Sequence, residues 1–365
     1  MKNYLTGIIC GILITTFTVY LTLDIFVIKE AYQNTATENP SSAFAQAQER
    51  LSQNSDTQTI EQSTEIFTET PTEIFTENAT VSSDSDTKHQ RFSTKQRTSE
   101  NTETQSVQDS VSSTSSNNSS SLNDTAYQDY EDENISISLK EYTVNSTKVY
   151  VADVTVSSAE YLKTAFANNT FGKNITATTS EIATQNNAVL AINGDYYGAR
   201  ESGYVIRNGK VYRSVSKENT DIVCIYADGT MRIQNTSQVS AEELVAQGVW
   251  QAFSFGPALV QNGTVTVSQS EEVGHAMASN PRTAIGVLGE NHYLFVVSDG
   301  RTNESRGLSL YELAEFMQSL GVECAYNLDG GGSSTMYYQG NIINNPTTNG
   351  KSIKEREVSD IVYIG

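Results

Sequence analysis

Basic residues are scarce in this sequence: 23 lysines and arginines stand against 43 aspartates and glutamates among 365 residues, a formal charge of -20. A chain this acidic is repelled by nucleic acid and by anionic lipid, so no nucleic-acid partner is expected. Histidine is scarcer still. Only three are present, and none falls in the polar clusters described below. Two-metal phosphodiesterase centres usually mix histidine with aspartate, so that chemistry is disfavoured. No cofactor or metal ligand set is expected; an all-oxygen Mg²⁺ or Ca²⁺ site is the one alternative left open. Cysteine is also rare, at three residues. Cys10 lies in the apolar N-terminal run, while Cys224 and Cys324 sit in apolar, strand-like settings and read as separate buried thiols. The lone tryptophan, Trp250, is assigned to the core.

Large apolar residues are few from about Tyr32 to Asn134, where Ser, Thr, Asn, Gln, Asp and Glu dominate. Such a stretch cannot bury enough apolar surface to offset the entropy of ordering itself, so residues 32–134 are expected to form a disordered acidic linker. It holds a short duplication, Thr64–Glu69 and Thr72–Glu77, and a Ser/Asn/Thr tract at 110–121. Both fit a spacer. Ahead of it, the apolar run Leu5–Leu23 is long enough for a bilayer core of about 30 Å, and no small-x-small cleavage site follows closely. Residues 1–31 therefore read as an uncleaved transmembrane signal anchor, with the C-terminal part extracellular in a single-pass membrane protein.

From Ile135 to Gly365 the globular mixture returns. Ile135–Leu139 and Lys148–Val156 alternate as half-buried strands, and Ala188–Ile192 is apolar throughout, as in a strand covered on both faces. Ala159–Ala167 reads as a short helix. Asn208-Gly209 and Asp228-Gly229 mark hairpins. Ser240-x-x-Glu243 and Ser309-x-x-Glu312 are capping boxes that open helices, the second ending at Gly321. Strands outnumber helices, which predicts one α+β domain over residues 135–365, built on a single large mixed sheet with flanking helices.

Polar clusters follow or interrupt the apolar strands, where a rigid scaffold presents functional groups. They are Asn193-Gly194-Asp195-Tyr196-Tyr197, Asn280-Pro281-Arg282-Thr283-Ala284, Ser298-Asp299-Gly300-Arg301, and Asn327-Leu328-Asp329-Gly330-Gly331-Gly332-Ser333-Ser334-Thr335. A Gly-Pro turn stands in Phe255–Val260. Together with a closing Arg356-x-Val358 segment, this ordered set resembles the phosphodiester glycosidase family over nearly the whole of 135–365. No cysteine-rich region accompanies it. The resemblance implies a hydrolase that cleaves a sugar-1-phosphodiester of an extracellular or cell-envelope glycan, with N-acetylglucosamine one candidate sugar.

The chemistry of the residues agrees. Breaking such a bond needs cations on the phosphate and carboxylates near the anomeric carbon. Arg282 and Arg301 offer permanently charged forks, and Asp195, Asp299 and Asp329 are the candidate catalytic carboxylates, their individual roles left open. Substrate contacts are expected from Asn193, Tyr196, Gly256, Thr283, Asn327 and the Gly330–Thr335 run (Gly330, Gly331, Gly332, Ser333, Ser334, Thr335). That run is not a nucleotide P-loop, since no Gly-Lys-Ser/Thr occurs. Arg356 reads equally as a site residue or a structural ion-pair partner. The sequence names neither the sugar nor an oligomeric state. Competing readings are a metal-dependent phosphodiesterase and a non-catalytic glycan-binding module.

Overall fold

The computed structural model describes residues 11–19, 33–35, 39–65, 120–122, 127–217, 219–269 and 279–365. It divides into two compact units, 1–58 with 118–365, and 59–117; the described part of the second is the last stretch of a helix, Pro40–Glu65. Among the described residues, the domain within the first unit is built from three large antiparallel sheets and one two-stranded pairing rather than one mixed sheet. The largest runs Thr264–Val265, Ala258–Gln261, Cys324–Asn327, Arg282–Gly289, His292–Ser298, Thr147–Val156, Ile135–Val144, Ser120–Leu122, with Tyr130–Glu131 also paired to Ile135–Val144. A second has the order Lys210–Arg213, Val205–Arg207, Val249–Phe253, Asp221–Tyr226, Met231–Asn235. The third has Asn341–Ile342, Met336–Tyr338, Leu190–Asn193, Asp360–Ile364, Leu162–Phe166. The α+β class stands, dominated by strands.

Period-two patterning explains how the sheets meet. Tyr150, Ala152 and Val154 face one way, with Tyr293, Phe295 and Val297 beside them, and join a central core. Leu190 and Ile192 of the third sheet and Val223, Ile225 and Phe253 of the second enter the same core. The alternate residues of the largest sheet, Val149, Val151, Leu294 and Val296, face the helix Leu310–Ser319. That helix buries Leu310, Leu313, Ala314, Phe316 and Met317, each large side chain contributing roughly 1.5–3 kcal/mol. Ser309 and Glu312 form the predicted capping box, and Gly321 closes the helix at φ 87°. Shorter helices, Thr179–Gln185 and Ala241–Ala246, cover the outer faces of the other two sheets and are also opened by capping boxes. Both predicted hairpins are present. Cys224 and Cys324 are free and buried.

Two expectations are corrected. Ala159–Ala167 is not a helix: after a single turn, Leu162–Phe166 pairs along its whole length with Asp360–Ile364, and tertiary pairing overrides local preference. Residues 33–35 and 39–54, assigned to the linker, carry structure. Gln33–Asn34 pair with Thr170–Phe171. The start of the Pro40–Glu65 helix buries Phe44 and Ala47, and Phe44 meets Trp250 edge to face at 5.0 Å. Phe44, Ala47 and Leu51 lie three and four residues apart, so a thin apolar stripe in a polar sequence suffices to dock one helix face.

Of the expected membrane anchor at 1–31, residues 11–19 are described; they are helical with exposed side chains. Among the described residues no helix is long and apolar enough to cross a membrane. The rest of the apolar run, nearly all of the duplication and most of the Ser/Asn/Thr tract lie outside the described residues.

Candidate active site

Antiparallel register gathers the polar clusters. Arg282 at the start of its strand pairs with Ser298 at the end of the next, and Ala284 pairs with Asn327 on the other side. Asn193 ends its strand in the third sheet and reaches across to this edge. Its amide donates to the Asp329 carbonyl at 2.7 Å, and its Oδ1 accepts from the Thr283 hydroxyl at 2.8 Å and the Thr335 amide at 3.3 Å. Asn193 is fully buried. It ties three clusters together and offers nothing to a ligand.

At this edge lies a cleft of about 630 Å³, lined by Arg200, Asn219, Thr220, Asp221, Phe255, Gly256, Pro257, Asn280, Arg282, Arg301, Leu310, Asn327, Asp329, Gly330, Gly331 and Arg356. Four guanidinium groups thus face two carboxylates. Arg282 is nearly buried and donates through Nε to the Leu308 carbonyl at 2.8 Å. Arg301 donates to Asn280 Oδ1 from Nε at 3.1 Å and Nη2 at 2.9 Å, and to the Thr348 carbonyl. Burial, and then the nearby Arg356 charge, push the Arg301 pKa down from its usual value. Two cations held this close favour an anion between or beside them.

The three predicted aspartates have separate fates. Asp329 lines the cleft. Arg356 Nη2 donates to its Oδ2 at 2.8 Å and to Ser333 Oγ at 2.6 Å. Burial raises the Asp329 pKa, and Arg356 and the Ser333 hydroxyl oppose that rise. Asp195 does not line the cleft. It is 1% exposed, lies 3.0 Å from Arg207 Nη2, and accepts from the Ser254 amide at 2.9 Å. The same Arg207 Nη2 lies 2.8 Å from Asp360, which makes a buried triad under the site. Burial and the adjacent Asp195 push Asp360 upward while Arg207 restrains it. Gly194 is required here, because a Cβ would stand 2.1 Å from Asp360 Oδ1. Asp299 is 2% exposed and also lies outside the cleft lining. It accepts from Tyr150, from the Asn344 side chain, and from the backbone and side chain of Asn345, so it anchors the loop that supplies Thr348 to Arg301.

The glycine run divides in the same way. Gly330 and Gly331 floor the cleft. Gly331 has φ 64°, and a Cβ there would crowd the Arg301 guanidinium at 3.0 Å. Gly332, Ser333, Ser334 and Thr335 do not line it; Gly332 packs on Thr348, and the three hydroxyl residues are fully buried. Thr283 is likewise buried. Of the expected substrate contacts, Gly256, Arg282, Arg301, Asn327, Gly330 and Gly331 therefore reach the cleft. Tyr196 is 42% exposed beside it, in the left-handed region at φ 64°, with the Arg356 guanidinium 5.9 Å from its ring. Sequence reasoning missed Arg200, Asp221 and Phe255 as cleft residues and left Arg356 undecided. Arg200 carries no motif signal beyond standing in the loop that begins at Asn193.

A β-dominated body presents a glycine floor ringed by arginines, with the Asp329 carboxylate paired to one of them. Residues 186–365 match the phosphodiester glycosidase family model, and the domain they form belongs to that family, a family of hydrolases. A Bacillus subtilis (strain 168) protein described as SPbeta prophage-derived uncharacterized protein YomE is 29% identical over 233 residues, covering 58% of this chain and 36% of its own. Mouse N-acetylglucosamine-1-phosphodiester alpha-N-acetylglucosaminidase is 29% identical over 188 residues, 47% of this chain and 36% of that protein. The chain thus spans little more than a third of these relatives' length. The catalytic domain of the zebrafish enzyme, solved in a form auto-inhibited by its pro-peptide, shares the fold at a TM-score of 0.52 and 20% identity, over 67% of this chain and 87% of that one.

Proposed function

We propose that this domain hydrolyses a glycosyl phosphodiester, releasing a free sugar and a phosphate monoester. The observation that carries the reading is the convergence of Arg282, Arg301 and Arg356 on Gly330–Gly331, with Asp329 as the carboxylate within that ring. Water adds its oxygen to the anomeric carbon and gives up one proton to solvent as the bond from that carbon to the phosphate oxygen breaks, and the electron pair of that bond leaves on the phosphate. A phosphate monoester has a second pKa near 6, so it departs as an anion with little need of a proton donor. The three guanidinium groups neutralise that charge, and Asp329 faces the positive charge that develops on the sugar. Tyr196 offers an exposed ring beside the cleft for a sugar face. N-acetylglucosamine, the sugar in the names of the mouse and bovine relatives, is the first candidate.

The apolar run at 5–23 and the polar stretch after it support display of this domain outside a membrane. Detergent-dependent extraction of the full chain, together with protease access to the domain on intact cells, tests that placement. For the reaction, the full chain is incubated with UDP-N-acetylglucosamine or a synthetic sugar-1-phosphodiester, with and without EDTA. Sugar release that EDTA does not affect supports the proposal. Release abolished by EDTA points to a metal-dependent phosphodiesterase, and binding without turnover to a glycan-binding module.

A further inference from the structure

Arg200 differs from the other three arginines of the cleft in the space it borders, although its charge, like that of Arg356, lowers the Asp329 pKa. Of those three, Arg301 and Arg356 lie against Gly330–Gly331: a Cβ on Gly331 would crowd Arg301, and Arg356 donates to the Gly330 carbonyl at 3.3 Å. Arg200 shares the lining instead with Thr220, Asp221 and Phe255. Its guanidinium carbon lies 4.5 Å from the centroid of the Phe255 ring, and Nη1 donates to the Ser254 carbonyl at 3.1 Å. It forms no ion pair among the described residues.

The segment that carries Arg200 is held firmly. Arg213 donates to the carbonyls of Tyr197, Arg200, Ser202 and Gly203 at 2.7–3.2 Å. A pinned guanidinium laid on an aromatic ring keeps its fork for an incoming acid. The cleft also continues past it. A second cavity of about 580 Å³, bordered by Glu201, Ser202, Ser216 and Lys217, shares Arg200 and Thr220 with the first. Arg200 therefore marks a junction between the space around Asp329 and a second space beyond.

We propose that Arg200 binds a second phosphoryl group of the substrate, one step past the scissile phosphodiester, so that the site selects glycosyl phosphates whose leaving group carries a further phosphate. The proposal rests on the glycosidase reading above and names the substrate class of that same site. The chemistry is unchanged: water still adds to the anomeric carbon, and the departing group is a diphosphate or a phosphate bearing another phosphodiester. Two sources share this feature, a nucleoside-diphosphate sugar and a chain of linked sugar phosphodiesters.

The test compares the full chain with its Arg200→Gln and Arg200→Lys variants, after matched thermal midpoints show that each is folded. Sugar release is measured from UDP-N-acetylglucosamine, from an oligomer of sugar-1-phosphodiesters, and from a methyl sugar-1-phosphodiester with a single phosphate. The natural chain is expected to favour one of the first two in kcat/KM by about tenfold, and Arg200→Gln to remove that advantage, with Arg200→Lys in between. Whichever arm is favoured identifies the source. Equal losses on all three substrates, or no preference in the natural chain, overturn the proposal. Binding of inorganic diphosphate and orthophosphate, measured by calorimetry, separates the two ideas. Tighter diphosphate binding lost in Arg200→Gln supports the second phosphoryl site even if no substrate turns over, in which case the glycosidase reading fails alone; diphosphate binding that Arg200→Gln leaves unchanged sinks the inference.

Discussion

Two arginine–aspartate clusters lie in this domain, made of the same side chains and put to opposite ends. Arg207 sits between Asp195 and Asp360, all three about 1% exposed. Arg356 grips Asp329 at the cleft wall, its own side chain 39% exposed. The buried cluster has its charges compensated on the spot, with further donors and carbonyls around it, and lines neither of the two cavities described above. The cleft cluster leaves Arg301 and Arg200 beside it without carboxylate partners among the described residues. Residue type alone does not mark a site; an unbalanced charge next to an opening does.

The hardest way to break the comparison is Arg207→Leu. It leaves Asp195 and Asp360 buried without their cation, and one partner lost from such a pair costs about 3–5 kcal/mol. Urea denaturation should show the midpoint falling by that measure or the variant failing to fold. A loss below about 1 kcal/mol would mean that the triad does not hold the sheets together. Asp329→Asn should do the converse. The amide keeps an oxygen for Arg356 but loses the charge, so turnover should drop about 10²–10³-fold, roughly 3–4 kcal/mol of barrier, while the thermal midpoint stays within a few degrees. Full activity in that variant would remove Asp329 from the reaction.

How much of this was legible beforehand follows the same division. The capping boxes, hairpins and alternating strands were readable because each depends on neighbours a few residues apart. The site was readable as a set of clusters, since loops after strands are where rigid scaffolds place chemistry. The fate of each aspartate was not. Asp195 is set by Arg207 and Asp360, and Asp360 lies 165 residues further along the chain; nothing local in Asn193–Tyr197 announces that contact. The docked helix at 40–54 was hidden by composition, because Phe44, Ala47 and Leu51 are outvoted by their polar neighbours. Leu162–Phe166 was read as helix because its pairing with Asp360–Ile364 is equally remote.

Asp299→Asn sharpens the comparison from a third position. Asp299 accepts four hydrogen bonds, two of them from Asn345, and anchors the loop whose Thr348 carbonyl receives Arg301. An amide in its place sets an N–H against donors, at a cost of about 1–3 kcal/mol. Because Arg301 is then less well placed, KM should rise more than kcat falls. A variant that loses turnover at unchanged KM and unchanged stability would restore Asp299 to the catalytic role that its position in the sequence first suggested.

The finest test asks whether Arg356 tunes Asp329 or merely sits beside it. Burial raises the Asp329 pKa, and Arg356 is the largest influence lowering it again. If the carboxylate is the working form, the rate is full above that pKa and is lost as pH falls through it. Arg356→Gln removes the lowering influence, so the acid limb of the kcat/KM profile should move to higher pH. Arg301→Gln also removes a cation from the cleft, but the leading charges on Asp329 are those of Arg356 and then Arg200, with Arg301 behind them. It should therefore weaken substrate binding and leave the limb in place. An acid limb that shifts equally in both variants would show that the charge of the whole cleft governs Asp329, and the Arg356 pair would then be no more specific in its effect than the buried triad is.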